Sequence, residues 1–132
     1  MVLCLDDLTK QTFIKYVLLK RIMETIKFSD WQKLDLRAGK ILKIEDIEGA
    51  DKLYKLSVEL GKELGKRTIV AGIKPYYKKE ELKGKSCVIF TNLEPRKIKG
   101  IESQGMLLAG ASPDESEVKI LETEAEPGSR VR

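Results

Sequence analysis

The apolar positions of this chain follow a helical period in its first 26 residues and a strand period from Trp31 onward. Between residues 7 and 26 they recur at steps of three and four, the spacing that places side chains on one helix face. The residues concerned are Leu8, Ile14, Leu18, Leu19, Ile22, Met23 and Ile26. No glycine or proline precedes Gly39, so this spacing predicts an N-terminal helix over residues 7–26.

Single alternation of apolar and polar residues from Trp31 to Ile47 predicts one long strand, bent at Gly39. The same pattern predicts a second strand at residues 53–60. Short, strongly β or apolar runs predict further strands at residues 68–71, 86–90, 106–109 and 118–121. Glycine at both ends predicts a turn over residues 61–65, and Pro75 suits the first turn of a short helix over residues 75–82. Residues 92–103 are rich in proline, lysine, arginine and glycine, which predicts a loop.

Five or six short strands with one helix between the third and the fourth predict a mainly β fold. The OB-fold, a five-stranded barrel, inserts a helix at that point, and two stacked half-barrels or a β-sandwich are the alternatives. A chain of 132 residues accommodates one domain with a short appendage. We therefore predict an N-terminal helical extension over residues 1–27 and an OB-fold domain over residues 28–132.

The residue types that are absent exclude several kinds of chemistry. The sequence has no histidine, which excludes histidine-based acid–base catalysis, Ser-His-Asp and Cys-His pairs, and imidazole metal ligands. Its two cysteines, Cys4 and Cys87, lie far apart, which disfavours a zinc site or disulfide framework and suits a reducing cytoplasm. No run of about 18 apolar residues could span a membrane, and Asp6 and Asp7 interrupt any signal-peptide pattern. Because the carboxylates stand in no motif with a base or metal partner, we expect no enzyme, no metal and no cofactor.

Charge is unevenly distributed along the chain. The net charge is +4, but residues 66–99 carry ten basic and three acidic side chains, whereas residues 112–132 carry three basic and six acidic ones. A strongly positive surface attracts phosphate backbones at long range. A solvated, heavily charged face of the kind found in thermophilic proteins is the alternative, and charge alone does not separate the two.

The segment over residues 92–106 carries the densest candidate chemistry. Three cations lie in it between a proline, which fixes φ, and a glycine, which permits a tight return; they are Arg96, Lys97 and Lys99. Arginine offers a bidentate fork to phosphate, and lysine offers a point charge. Ser103 and Gln104 add neutral donors for ribose hydroxyls or base edges. An ordinary solvated hairpin loop is the alternative.

The sequence NLEPRKIKGIESQGMLLAG at residues 92–110 resembles the signature of the tRNA-binding domain appended to methionyl-tRNA synthetases. The same module occurs in stand-alone tRNA-binding proteins and in the endothelial-monocyte-activating polypeptide group. The segments DLRAGKI at 35–41, GADKLY at 49–54 and RTIVAGI at 67–73 resemble the family's opening strand, the turn after it and its third strand. The resemblance runs from about Phe28 to Arg132.

The resemblance implies an OB-fold that grips the outer corner of tRNA by shape rather than by anticodon sequence. It implies a homodimer without catalytic activity, with methionyl-tRNA synthetase as a further candidate partner. Carried onto this sequence, the contacts fall on Arg96, Lys97, Lys99, Ser103, Gln104 and Met106, with Lys33, Arg37 and Lys40 adding positive potential and Asn92 shaping the loop. Met106 opens an apolar strand, so it suits the core equally well. Lys99 stands where the family commonly has arginine, and Ile98 where it commonly has methionine.

Two alternatives stay open from the sequence. Export chaperones share the barrel and the dimer, so a homodimeric protein-binding chaperone is the alternative function, although chaperone loops depart from the Gly-Met-Leu-Leu ending kept at residues 105–108. Residues 1–22 lie outside the resemblance, and Met23 is close to where stand-alone relatives begin. Either translation starts at Met23, or residues 1–22 form a helix that docks on the barrel, a second copy or a synthetase; we favour the helix.

Overall fold

The computed structural model describes residues 24–132. The chain divides into two units, residues 1–33 and residues 34–132. The described part of the first unit holds one helical turn, α1 (Phe28–Trp31), whose amides bond back to the carbonyls of Lys27 and Phe28. The helix predicted over residues 7–26 lies outside the described residues, except that residues 24–26 are not helical. The strand predicted to start at Trp31 was wrong there, because Trp31 ends α1.

The second unit is mainly β with few short helices, as the alternating pattern predicted. Its strands are β1 (Leu36–Ile47), β2 (Ala50–Glu59), β3 (Lys66–Ala71), β4 (Ser86–Phe90), β5 (Arg96–Ile98), β6 (Ile101–Ser103), β7 (Met106–Leu107), β8 (Ala109–Ala111), β9 (Val118–Ile120) and β10 (Arg130–Val131). Its helices are the single turns α2 (Gly61–Leu64) and α3 (Lys79–Leu82). The predicted helix between strands three and four is therefore present, although it is shorter than expected.

The main sheet is antiparallel and has the order β3-β2-β1-β4-β7, with β10 paired to the start of β1. Two smaller antiparallel pairs, β5–β6 and β8–β9, complete the unit. Alternate side chains of β1 to β4 point inward and form the core; the fully buried ones include Ile41, Leu56, Val58, Ile69 and Ile89. No strand ladder joins β3 to β7 within residues 24–132, so the sheet is not closed by backbone pairing.

Gly39 lies just before the point where β1 passes from pairing with β4 to pairing with β2, and the bend predicted there stays a prediction. The pairing of β1 with β2 is irregular two residues later, between Ile41 and Lys43. Gly39 is needed for a different reason, because a Cβ atom there would lie 2.7 Å from Val58 Cγ1 and 2.9 Å from Leu60 Cδ2. The glycine thus lets β1 pack closely against the end of β2.

The segment that precedes α3 is a turn rather than a helix from Pro75. The amides of Tyr76 and Tyr77 both bond to the carbonyl of Ile73, and Lys78 is extended at φ −86° and ψ 155°. Tyr77 is fixed from both sides, because its carbonyl accepts a bond from the Tyr54 hydroxyl and its own hydroxyl accepts one from the Ile120 amide. Tertiary anchoring therefore replaces the first helical turn that the sequence predicted.

The free edge of β3 is covered by the chain that leads into β7. The Gln104 amide donates to the Thr68 carbonyl at 2.9 Å, and the Gln104 side-chain oxygen accepts from the Thr68 amide at 3.0 Å. The Ser103 hydroxyl accepts from the Val70 amide at 3.0 Å. Arg67 adds bonds from its guanidinium to the carbonyls of Thr91, at 2.6 Å, and Gln104, at 3.3 Å. These backbone and side-chain bonds connect the two ends of the main sheet. We call this set of contacts the β3 seam.

Candidate nucleic-acid interface

The cationic segment forms a two-stranded hairpin instead of the loop predicted over residues 92–103. Strands β5 and β6 pair in the register Arg96 with Ser103, Lys97 with Glu102 and Ile98 with Ile101. Lys99 and Gly100 join them with positive φ angles of 53° and 79°, the combination found in two-residue hairpin turns of type I′. We call residues 96–103 the cationic hairpin.

The cationic hairpin is held in place by apolar contacts on one face. Ile98 and Ile101 pack against a small cluster formed by Ile47, Ala50 and Val70. Because side chains alternate along a strand, the other face of this ribbon carries Lys97 and its cross-strand neighbour Glu102. The hairpin is therefore a supported element whose outer face is charged.

The three predicted phosphate contacts are exposed and lack ionic partners. Arg96, Lys97 and Lys99 are all exposed, and none of the ion pairs among residues 24–132 includes any of them. Glu102 lies opposite Lys97 in the register, yet the two do not form an ion pair. Strand alternation directs Arg96 and Lys97 to opposite faces of the ribbon. The arrangement therefore offers positive charge along both edges of the hairpin, where a curved polyanion could contact it.

Met106 lies beside Arg96 at the foot of the hairpin. The two side chains help to line a cavity of about 60 Å³, together with Leu93, Ile98 and Val70 among others. Met106 remains 43% exposed while it pairs with Phe90, so the prediction that it belongs to the core was wrong. Its contact with RNA stays a prediction.

Ser103 and Gln104 have a structural role that the sequence did not predict. Ser103 is 5% exposed, and its hydroxyl accepts a bond from the Val70 amide and donates one to the Gly105 carbonyl. The physical reason is the β3 seam, which needs an acceptor for a buried amide. The contact of Ser103 with RNA stays a prediction. Gln104 is exposed, and although its oxygen is used at the seam, its amide NH₂ can still donate.

Arg37 is neutralised inside the fold and adds little to the positive potential. Its guanidinium bonds Asp35 at 2.7 Å, Glu63 at 3.2 Å and the Gly128 carbonyl at 3.2 Å. The hydrogen bond from Arg37 lowers the pKa of Asp35, against the effect of desolvation, and the same bond raises the pKa of Arg37. The predicted contribution of Arg37 to RNA attraction therefore has no support in the geometry.

The three remaining candidates differ in their surroundings. Asn92 accepts the Asp35 amide at 2.8 Å, which is the kind of bond that shapes the loop before the hairpin. Lys33, in the first unit, bonds Asp30 at 3.1 Å. Lys40 is exposed on β1, opposite Glu59 and Ser86. Roles for these residues in RNA binding stay predictions.

Sequence reasoning missed Arg67, which bonds the carbonyls of Thr91 and Gln104 on the two segments that flank the cationic hairpin. It also missed two lysines on the adjacent sheet, Lys43 and Lys55. The lysines could have been found, because strict alternation places Lys55 and Ser57 on the outer face of β2. The role of Arg67 could not, since its carbonyl partners lie 24 and 37 residues away.

A mainly β unit with an exposed, supported cationic hairpin is typical of nucleic-acid-binding modules. The chain belongs to the family described as "Putative tRNA binding domain", whose model matches residues 36–130. None of the helices among residues 24–132 has the length and hydropathy that a membrane span requires.

The similar proteins include both ligases and chaperones. A methionine--tRNA ligase of Pyrococcus horikoshii is 51% identical over 110 residues, which are 83% of this chain and 15% of that ligase. A crystal structure of a MetRS related protein from Pyrococcus horikoshii has a TM-score of 0.77 and 37% identity, covering 83% of this chain and all of that one. The CsaA chaperone protein of Picrophilus torridus has a TM-score of 0.75 and 32% identity, covering 82% of this chain and all of that one. This chain therefore spans about one seventh of the ligase and the full length of both solved neighbours.

Proposed function

We propose that this chain is a non-catalytic tRNA-binding protein that recognises the outer corner of tRNA by shape and phosphate contacts. The observation that carries the proposal is the cationic hairpin, where Arg96, Lys97 and Lys99 are exposed and free of ion pairs among the described residues. The family match over residues 36–130 supports tRNA as the ligand. Because the hairpin is already ordered by packing, binding costs less conformational entropy than a flexible loop would.

The aromatic residues support recognition of folded rather than single-stranded RNA. Single-strand binding usually depends on exposed aromatic side chains that stack on bases. None of the four aromatic residues between 34 and 132 is exposed; they are Tyr54, Tyr76, Tyr77 and Phe90. Phe28, in the first unit, is 70% exposed, but within the second unit recognition by phosphate position and overall shape fits better than base stacking.

We propose that the protein acts in the cytoplasm as a homodimer. It acts either alone or as a trans-acting aid to an aminoacyl-tRNA synthetase such as methionyl-tRNA synthetase. The similarity to part of a methionine--tRNA ligase supports this setting. A module that binds both tRNA and a synthetase would raise the local concentration of tRNA at the enzyme. The likeness to CsaA supports the alternative, a homodimeric protein-binding chaperone on the same fold.

Replacing Arg96, Lys97 and Lys99 together by Ala tests the proposal. We expect tRNA binding to be lost near physiological salt and the slope of log K against log salt to become shallower by about 2 to 3, because each neutralised phosphate contributes about 0.7 to 0.9. Titration of labelled tRNA by fluorescence anisotropy over a salt series measures both quantities.

The matched control replaces Lys62, Lys83 and Lys119 by Ala, which removes the same charge from exposed positions outside the hairpin. Retained binding in the control, with unchanged thermal unfolding in both variants, supports a specific hairpin contact. Equal losses in the two variants would mean that net charge alone drives binding, and the proposed site would be wrong.

A further inference from the structure

A polar groove lies on the outer face of the main sheet, in β1, β2 and β3. It has a volume of about 240 Å³ and is lined by Lys43, Glu45, Lys55, Leu56, Ser57 and Thr68. The strand register arranges the outer side chains in two rows that cross the three strands. One row is Lys43, Ser57 and Thr68, and the other is Glu45, Lys55 and Val70. We call this the sheet groove.

The sheet groove lies next to the cationic hairpin on the outer face of the sheet. Val70, at the end of the second row, packs under Ile98 and Ile101 of the hairpin. Thr68, at the end of the first row, accepts a bond from the Gln104 backbone amide and donates its own amide to the Gln104 side-chain oxygen, immediately after the hairpin. Positions two residues apart on one strand face are separated by about 7 Å. A polyanion seated on the hairpin would therefore reach the groove without leaving the surface.

Glu45 occupies the groove as an internal anion. Its carboxylate lies 2.7 Å from the Lys43 ammonium and 3.6 Å from the Lys55 ammonium. The hydrogen bond with Lys43 lowers the pKa of Glu45 and raises that of Lys43. Both ion pairs face solvent, where screening keeps such pairs weak, so a phosphate can compete with the carboxylate.

Two hydroxyl groups complete the donors of the groove. Ser57 and Thr68 line it next to the lysines, and their side-chain oxygens bond to no other residue among 24–132. A carboxylate needs few donors, but a phosphate has additional oxygens that accept hydrogen bonds from hydroxyl and ammonium groups. The donor set therefore exceeds what Glu45 uses.

We propose that the sheet groove is a second phosphate subsite for the RNA backbone, in which Lys43 and Lys55 are the cations and Glu45 is the resident anion that a phosphate must displace. This inference rests on the proposed function, because it extends the surface of the cationic hairpin. Glu45 then limits the affinity of the groove for phosphate. It repels weakly bound polyanions, and only an RNA backbone that the hairpin has already positioned displaces it.

Glu45→Gln is the direct test, and Asp46→Asn is its matched control. Asp46 also lies between two lysines, at 3.0 Å from Lys74 and 2.6 Å from Lys79, and its removal changes the net charge equally. With transcribed tRNA as the probe, we expect Glu45→Gln to tighten binding about two- to fivefold, the range that exposed ion pairs allow. We expect the salt slope to steepen by about 1, while Asp46→Asn leaves both nearly unchanged.

A double-mutant cycle separates a local subsite from a long-range charge effect. Replacing Lys43 and Lys55 by Ala is expected to weaken tRNA binding, and adding Glu45→Gln to that variant should then give no further gain. Equal gains from Glu45→Gln and Asp46→Asn, or a gain that survives the loss of both lysines, would overturn the subsite. The hairpin variant tests the proposed function separately, so the result for the groove neither supports nor contradicts that function.

Discussion

Ser103 shows how a residue that resembles an RNA contact can instead belong to the fold. Its hydroxyl gives the Val70 amide its only acceptor at the β3 seam among the described residues and bonds the Gly105 carbonyl as well. A buried amide without a partner costs about 1 to 3 kcal/mol. The family signature at this position is therefore compatible with a purely structural requirement.

Ser103→Ala is expected to lower the free energy of unfolding by about 1 to 3 kcal/mol, because it leaves that amide unsatisfied. Urea denaturation measures this change, and Ser86→Ala serves as a control at a partly buried serine of β4. The salt slope of tRNA binding should stay at the wild-type value, since no phosphate contact is lost. An unchanged stability together with a shallower slope would return Ser103 to the set of RNA contacts.

Cys87 gives the folded state a defined dependence on pH. Burial raises the pKa of its thiol from 9.0 to about 12. Since the folded pKa exceeds the unfolded value, the stabilising contribution is complete below pH 9 and is lost as the pH rises through about 12.

The stability difference between the wild type and Cys87→Ala should therefore be constant from pH 7 to 8.5 and should shift against the wild type above pH 9. Urea midpoints of the two proteins, measured at a series of pH values, provide the comparison. All other ionisable groups are common to both proteins. A difference that does not vary with pH would show that the thiol ionises equally in both states.

The cationic hairpin places charge at a conformationally costly position. Lys99 has a φ of 53°, a left-handed conformation that costs a residue with a side chain about 1 to 2 kcal/mol. Glycine would avoid that cost, and we therefore predict that the Lys99 ammonium group contributes to binding. Strain of this kind is often kept at binding sites.

Lys99→Gly is expected to raise the free energy of unfolding by about 0.5 to 1 kcal/mol and to weaken tRNA binding at the same time. Thermal unfolding and anisotropy titration on the same samples measure the two effects. Lys97→Gly is the control, because Lys97 lies in β5, where glycine should destabilise the strand. Unchanged affinity in Lys99→Gly would remove this lysine from the interface.

The long paired strands could be predicted from the sequence, whereas the hairpin and the seam could not. β4 was predicted with its observed bounds, β3 was predicted without its first two residues, and β2 was predicted three residues late and one residue too long. Alternation identified β2, whereas runs of consecutive buried residues identified β3 and β4. The strands of the cationic hairpin have three residues each, too few to show a period. The β3 seam joins residues that are 24 to 37 positions apart, and no local pattern encodes such a contact.

The exposed cations of the candidate site could be predicted from the sequence, but the ion-pair partners of the predicted cations could not. Proximity in sequence and a preceding proline identified Arg96, Lys97 and Lys99, and the structure leaves all three exposed. The ion pairs of Arg37 could not be predicted, because its two carboxylate partners lie on different segments, one of them 26 residues away. Charge in a sequence thus predicts attraction only where the fold does not already neutralise it.

The second unit as a whole combines a positive hairpin and groove with an acidic C-terminal stretch, residues 112–132, which has a net charge of −3. A uniformly basic protein would bind any nucleic acid in proportion to its phosphates. A molecule with one limited positive surface should instead favour RNA whose backbone curves around that surface. Preference for shape is therefore a property of the whole unit rather than of any single cation.

We expect tRNA to bind at least several-fold more tightly than a straight RNA duplex with the same number of phosphates, at equal salt, because counterion release is matched and only shape differs. Competition of each RNA against labelled tRNA measures the ratio. The chaperone alternative predicts no such preference, together with suppression of the aggregation of an unfolded client in a light-scattering assay. Equal affinity for the two RNAs, together with suppression of aggregation that the triple hairpin variant retains, would favour the chaperone. Protein clients would then bind a surface that does not depend on Arg96, Lys97 and Lys99.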